Sequence, residues 1–351
     1  MANRDIIVIG GSAGSSDPLR TILAALPHNL RAAVIIIVHI PPNSAGILRL
    51  VTSASSNLPV KNAEDGEAIL PGQIYLAPSD YHLLVIKDKL TLGNGPRENL
   101  ARPSIDSLFR SAALSCGPRT IGVLLSGKMN DGASGLATIK QAGGVALVQA
   151  PEDAATPEMP ISALEATPVD LNATSEELAQ AIIHFSAEPP GPARPLPAGV
   201  RIEVEIAAGG RSDTSKIKQL ADASPLTCPE CGGVLSEVRD SQPLRFRCQI
   251  GHAYTAKALI AEQRDSVDVA MRVALRIVEE RAALVGRMAK EATKANRPGM
   301  AEMHEERASE YRKHVDILRT AILQGMEDKA PNESGSEVID LEMRAGRKPK
   351  S

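Results

Sequence analysis

The sequence predicts an α/β protein: a doubly wound, mainly parallel sheet, followed by a small zinc-binding module and an α-helical hairpin. Three observations predict this. In the first half, short continuous apolar runs alternate with amphipathic helical patterns, as in a parallel sheet covered on both faces. Cys228, Cys231, Cys248 and His252 have metal-ligand spacing. Beyond them, apolar residues recur at heptad-like intervals on either side of a turn at Asn296-Arg297-Pro298-Gly299. A chain of 351 residues accommodates more than one domain. Aromatic residues make up 2% of it and Trp is absent, so Val, Ile, Leu and Ala must build the core.

Ile6-Ile7-Val8-Ile9 reads as the first strand and runs into Gly10-Gly11-Ser12-Ala13-Gly14. Asp17-Pro18 reads as an N-cap with Pro at the first helical position. Leu19, Ile22, Leu23 and Leu26 then share one helical face as far as Pro27. Ala33 to Val38 is an apolar strand that ends at His39-Ile40-Pro41-Pro42. Gly72 to Ala77 reads as a short strand, and His82–Ile86 with Leu90–Leu92 as a hairpin around Lys87-Asp88-Lys89. Ser104 caps a helix bearing Ile105, Leu108, Phe109, Ala112 and Ala113. Ile121 to Leu125 is a strand, Ala133 to Gln141 a helix and Val145 to Val148 a strand.

The prolines between Glu188 and Pro197 sustain neither a helix nor a central strand, so the first domain spans residues 1–187. A Pro/Gly-rich linker is expected over 188–224, a zinc-ribbon-like module over 225–255, a helical hairpin over 256–326 and a disordered tail over 327–351. The hairpin's apolar rhythm passes through Val267, Ala270, Ala274, Ile277, Leu284 and Met288, broken by Arg281. It resumes through Ala301, His304, Ala308, Tyr311, Val315, Leu318 and Ile322. Such a pair folds on itself or forms a homodimer.

A net charge of −3 argues against nucleic-acid binding by bulk positive charge. Met1-Ala2-Asn3-Arg4-Asp5 carries no signal-peptide pattern, and no run reaches the ~20 apolar residues of a membrane span. Four cysteines in so long a chain do not suit a secreted disulfide scaffold. A cytoplasmic protein is the expectation.

Three of these strands lead into residues able to do chemistry. Ser12 follows the first strand and His39 the second, and Asp131 lies in Ser126-Gly127-Lys128-Met129-Asn130-Asp131-Gly132 after Ile121–Leu125. Active sites of open α/β sheets gather at the carboxyl ends of the strands. Parallel pairing would therefore put Ser12, His39 and Asp131 on one rim. A hydroxyl attacks at neutral pH only with a base to take its proton, and imidazole, with an ordinary pKa of about 6.5, suits that role. A carboxylate fixes the imidazole tautomer. The backbone N–H of Ala13 is a natural oxyanion donor.

Each segment alone has a plainer reading: a phosphate-binding turn, a polar loop residue, an Asn-Asp-Gly turn. The G-x-G-x-x-G fingerprint is not met, and no Lys-Ser/Thr follows to make a P-loop. His82 is a competing base, but its place in the hairpin suits a structural role.

The segments resemble the catalytic domain of the chemotaxis-type (CheB-type) protein-glutamate methylesterases, whose motifs are I-G-A-S-T-G-G, H-M-P-P and L-T-G-M-G-N-D-G-A. Here they read Ile9-Gly10-Gly11-Ser12-Ala13-Gly14-Ser15, His39-Ile40-Pro41-Pro42 and Leu125-Ser126-Gly127-Lys128-Met129-Asn130-Asp131-Gly132-Ala133. Ala63-Glu64-Asp65-Gly66, Tyr75-Leu76-Ala77-Pro78 and Arg102-Pro103-Ser104-Ile105-Asp106 add to the match, which runs over about residues 4–185.

The resemblance implies a Rossmann-like domain that hydrolyses glutamate γ-methyl esters on chemoreceptor-like proteins, and in some members deamidates glutamine. Ser12 would be nucleophile, His39 base and then acid, Asp131 the orienter, and the backbone N–H groups of Ala13 and Lys128 the oxyanion hole. No cofactor is implied for catalysis. Lys128-Met129 stands where the family has Met-Gly, and Ser15 where it has Gly. Family members typically carry a receiver domain ahead of this one. The chain starts at the catalytic domain, so a separate receiver-domain or methyltransferase partner, or the C-terminal part, is the expected regulator. Arg102 is a candidate substrate contact, or else a fastening for the loop before Pro103. The alternative function is a non-catalytic signalling adaptor built on a decayed esterase domain.

Cys228-Pro229-Glu230-Cys231 and Cys248-Gln249-Ile250-Gly251-His252 give C-x2-C and C-x3-H. Three sulfurs and one nitrogen make a closed tetrahedral zinc set of structural type. A redox C-x-x-C would not require Cys248 and His252. Arg239, Arg245 and Arg247 give the module a basic edge, which suits docking a protein better than nucleic acid. Cys116 is left over as a small apolar residue.

Overall fold

A computed structural model describes residues 3–40 and 45–327. The chain divides into two compact units, residues 1–261 and 262–351. The strands of the first unit's N-terminal part are β1 (Ile6–Gly11), β2 (Ala33–Val38), β3 (Val60–Asn62), β4 (Ile74–Leu76), β5 (His82–Ile86), β6 (Lys89–Gly93), β7 (Thr120–Leu124), β8 (Val145–Gln149) and β9 (Leu171–Ala173). The helices are α1 (Ser16–Ala25), α2 (Ala45–Ala54), α3 (Ile105–Cys116), α4 (Ala133–Gln141), α5 (Glu158–Ala166) and α6 (Ser175–Ala187).

Seven strands form one sheet in the order β3-β4-β2-β1-β7-β8-β9. Every pairing in it is parallel. β5 and β6 form the expected antiparallel hairpin. β1 and β2 are buried along their whole length because both sheet faces are covered. Ile6 and Val8 face the cluster that includes Leu108 and Phe109 of α3. Ile7 and Ile9 face the one that includes Leu19 and Ile22 of α1 and Leu178 and Ile182 of α6. The N-cap of α1 is Ser15, not Asp17, which falls inside the first turn.

The stretch 188–224 departs from its expected linker character. From Ala198 onward it folds as α7 (Ala198–Ala207) and α8 (Thr214–Leu220), and β10 (Ala221–Thr227) follows. The prolines mark only the segment before α7. β11 (Val234–Val238), β12 (Arg245–Cys248) and β13 (Ala253–Thr255) complete an antiparallel sheet ordered β10-β11-β12-β13. This sheet belongs to the same compact unit as the parallel one.

A buried ionic cluster joins the two sheets. Arg245 Nη1 lies 2.6 Å from Glu203 Oε1 on α7. Arg247 Nη2 lies 2.8 Å from Glu98 and 2.9 Å from Glu203. Arg110 of α3 pairs with the other Glu98 oxygen. Burial opposes ionisation of Glu203, but Arg245, Arg110 and Arg247 hold its carboxyl well below the usual range. The expected basic edge is therefore absent at Arg245 and Arg247, whose charges are turned inward and neutralised. Arg239 is exposed but bridged to Asp222 at 2.6 Å.

The hairpin is α9 (Ala256–Lys294), whose start lies in the first unit, and α10 (Pro298–Glu327). On α10 the expected seam holds: Ala308, Val315 and Ile322 are buried. On α9 the seam lies one residue further along, through Leu275, Val278, Ala282, Val285, Ala289 and Ala292. Ile277, Leu284 and Met288 are exposed at 44%, 60% and 45%. Arg281 thus does not interrupt the seam; its guanidinium lies over the Tyr311 ring. The expected disordered tail lies outside the described residues, apart from Glu327.

Candidate active site

Register brings the three strand ends together. Gly11 of β1 pairs with Val38 of β2, and His39 N donates to Gly11 O at 3.0 Å. Ser12 N donates to Ser126 O at 2.9 Å. The strand order reverses between β1 and β7, where crevices open in such sheets. Ser12 is half-buried, and its Oγ makes no hydrogen bond among the described residues. Catalytic hydrogen bonds often tighten only when substrate is bound.

His39 Nε2 lies 3.2 Å from Asp131 Oδ2. The distance is that of an ion pair, but the geometry is not that of a hydrogen bond, and Nε2 makes none among the described residues. With Nε2 facing Asp131, Nδ1 is the nitrogen left to take a proton.

Asp131 sits at the N-terminus of α3. Its Oδ2 accepts from Ile105 N at 2.7 Å, and its Oδ1 from Asn99 Nδ2 and Ser104 Oγ, both at 2.9 Å, and from Asp106 N at 3.2 Å. Burial favours the neutral acid, but His39, Asn99 and Ile105 outweigh it and hold the carboxyl at about 2. Asp131 is thus a fixed anion throughout the neutral range. Asn99 and Ser104 were not legible as partners of this group. The one local signal is Asn99, whose left-handed φ of 51° suits Asn.

His82 is fully buried, with Nε2 on Pro96 O at 2.9 Å and Nδ1 accepting from Ser104 N. Burial lowers its pKa. It supports the start of α3, in keeping with a structural role. Cys116 is buried in the core, where burial pushes its thiol up to about 12.

A cavity of about 620 Å³ opens beside His39, lined by Ile40, Leu48, Asn62, Arg97 and Arg102 among others. The Arg102 guanidinium is engaged by Asp80 Oδ1 at 2.7 Å and Gly95 O at 3.0 Å. That is the geometry of a fastened loop. Arg97 is the exposed guanidinium on this wall, and the sequence reading missed it.

Cys228, Cys231, Cys248 and His252 place their ligand atoms within 4.8 Å of one another and could hold a metal ion. Cys231 and Cys248 Sγ are 3.7 Å apart, and His252 Nδ1 is 3.5 Å from Cys248 Sγ and 3.8 Å from Cys228 Sγ. Zn–S bonds of about 2.3 Å imply tetrahedral S···S edges of about 3.8 Å, so the donor set fits zinc. His252 Nε2 faces Glu230 Oε1 at 3.5 Å, the orienting carboxylate common behind ligand histidines.

A model of the CheB methylesterase family matches residues 7–182. The chain belongs to the CheB methylesterase family. A Leptospira interrogans protein, provisionally named protein-glutamate methylesterase/protein-glutamine glutaminase, is 42% identical over 184 residues, 52% of this chain and 95% of that protein. Protein-glutamate methylesterase/protein-glutamine glutaminase 1 of Xanthomonas campestris is 35% identical over 187 residues, 52% of each chain. The crystal structure of the Thermotoga maritima CheB methylesterase catalytic domain matches with a TM-score of 0.50 and 31% identity, covering 52% of this chain and 99% of that one.

The departures from the CheB methylesterase motifs acquire a structural account. Ser15, buried, donates its hydroxyl to Ser12 O at 2.7 Å and so closes the turn rather than loosening it. Met129 has φ 65°, a left-handed conformation that a glycine adopts without strain. Its N–H is held by Glu158 Oε2 at 2.8 Å. The N–H groups of Ala13 and Lys128 donate to no group among the described residues.

Gly127 lies close against Ser12. A Cβ on it would lie 2.0 Å from Met159 Sδ and 2.8 Å from Ser12 Cβ. Met159 can swing aside, but Ser12 cannot move without displacing its hydroxyl. Gly127→Ala is expected to cost about 1–3 kcal/mol of stability, read from the urea midpoint, and to slow chemistry at Ser12. A variant matching wild type in both would show that the loop yields freely.

Proposed function

We propose that this chain is a protein-glutamate methylesterase that hydrolyses glutamate γ-methyl esters on a methylated chemoreceptor or receptor-like protein, and deamidates glutamine by the same chemistry. The observation that carries the reading is the His39 imidazole at 3.2 Å from a buried carboxylate that four other donors hold ionised. Ser12 Oγ attacks the ester carbonyl and passes its proton to His39 Nδ1. The oxyanion takes the N–H groups of Ala13 and Lys128. Collapse expels methoxide, which leaves as methanol with the His39 proton. Water, deprotonated by His39, then frees the carboxylate and Ser12. From glutamine the leaving group is ammonia. Asp131 stays ionised throughout and stabilises the imidazolium. Arg97 and Arg102 line the wall where an acidic receptor helix would lie.

The test is methanol release from a methyl-esterified chemoreceptor, together with fluorophosphonate labelling of Ser12. No methanol and no label would leave the adaptor reading in its place.

Cys228, Cys231, Cys248 and His252 would hold a structural zinc, which supplies folding energy and no open coordination position. Protein purified without chelator should contain about one zinc per chain by elemental analysis. A zinc-free folded protein would overturn this. The working location is the cytoplasm, with a receiver-domain or methyltransferase protein as regulator. Among the described residues no helix is long and apolar enough to cross a membrane. The exposed Ile277, Leu284 and Met288 are where a second copy would pack as a homodimer.

A further inference from the structure

We propose that the Cys/His module is a working part of the hydrolytic site: its last strand, β13, fixes the loop carrying Asp131, so metal binding governs how firmly that carboxylate is held. The consequence for catalysis rests on the Ser12–His39–Asp131 reading; the contacts do not.

Asn99 is the hinge of the arrangement. Its Nδ2 donates to Asp131 Oδ1 at 2.9 Å and to Asp106 Oδ2 at 3.0 Å, while its Oδ1 accepts from Thr255 N at 3.0 Å. The Asn99 main chain donates to Ala253 O at 2.8 Å. Both ends of β13 therefore grip the residue that holds Asp131. The fully buried Thr255 hydroxyl donates to Asn130 Oδ1 at 2.6 Å, one residue before Asp131. Met129, strained at φ 65°, packs against the cluster containing Cys228, Cys248 and Tyr254. A left-handed Met persists only where its surroundings over-determine it, and here the metal module packs on its side chain while Glu158 holds its N–H at 2.8 Å.

The path from metal to carboxylate is short. His252 is followed directly by β13, and its carbonyl accepts from Cys248 N at 3.0 Å. The core around the ligands is seven buried residues, two of them the ligands Cys228 and Cys248 and two more, Ala258 and Leu259, from the start of α9. A segment with so little apolar burial holds its shape through its metal. Losing the metal would free β13, then Asn99 and Asn130, then Asp131. Asn99 and Thr255 are accordingly positioning residues.

The intact, metal-loaded chain allows a direct test. The amides of Ile105 and Asp106 donate to Asp131, so their hydrogen exchange reports how firmly that carboxylate is held. Stripping the metal with a chelator should speed exchange at both amides at least about tenfold and slow fluorophosphonate labelling of Ser12 by a similar factor, and added zinc ion should restore both. Unchanged exchange after stripping overturns the proposal, whatever the labelling does. Exchange that responds while Ser12 labels in neither state upholds the proposal and overturns the nucleophile assignment instead.

Thr255→Val separates coupling from unfolding. It should keep its metal yet show faster exchange, and a kcat for methyl-ester hydrolysis reduced about tenfold at unchanged KM, with Thr255→Ser behaving as wild type. Wild-type exchange in metal-loaded Thr255→Val would also overturn the proposal.

Discussion

Ser12→Ala is expected to lower methyl-ester hydrolysis by about 10⁴-fold or more while the protein stays folded. The Ser12 hydroxyl makes no hydrogen bond among the described residues, so its removal strands no buried partner. The backbone bonds that shape the turn, Ser12 N to Ser126 O and Ser15 N to Ser12 O, survive the change. Stability should therefore move by no more than about 0.5 kcal/mol. A large rate loss without a stability loss separates a nucleophile from a structural serine. The residual rate would come from the Ala13 and Lys128 amides and from binding. Methanol release measured side by side decides the point: equal rates in wild type and variant would remove Ser12 from the mechanism.

Glu203→Ala is expected to cost about 3–5 kcal/mol of stability. Glu203 is 1% exposed and accepts from both Arg245 and Arg247, with Arg110 Nε at 3.9 Å. Removing it leaves Arg245 without its buried partner and Arg110 and Arg247 to share Glu98, with Asp106 3.9 Å from Arg110. Replacing the whole cluster by apolar side chains would cost far less, because the penalty lies in the unpaired charge.

The acid dependence follows from the sign of the shift. The folded-state carboxyls of Glu98 and Glu203 lie below their ordinary range, held there by the arginines against the effect of burial. Their stabilisation is present above the unfolded glutamate pKa of about 4.3 and is lost as pH falls through the lower folded values. Wild type should lose stability steeply in that acid window, and Glu203→Ala less so. Urea unfolding across pH measures both. A variant with the wild-type urea midpoint at neutral pH would show that the cluster contributes nothing.

Much of the catalytic domain was readable from local pattern. β1 and β2 are continuous apolar runs because both sheet faces are covered, and their ends name Ser12 and His39 without tertiary information. The Asn130-Asp131-Gly132 loop is legible because its neighbours must turn. The cysteine and histidine spacing marks a ligand set because a tetrahedral site requires a tight turn between each ligand pair. The three-residue strands β3 and β9 were missed, being too short to show any period. The seam of α9 was misplaced by one residue because hydrophobicity favours Ile277, Leu284 and Met288 over alanine. Close helix packing favours the alanines.

Which residue types end the strands, which helices repeat in heptads and which side chains can bind a metal are properties of neighbours along the chain, and the sequence alone determined them. What holds Asp131 in place, and what neutralises Arg245 and Arg247, only the tertiary structure decided. Asn99 lies 32 residues from Asp131 and 156 from Thr255, and Glu98 lies 149 from Arg247. No local propensity encodes partners at such separations. They are chosen by desolvation, which forces every buried charge and donor to find its complement wherever the fold delivers one.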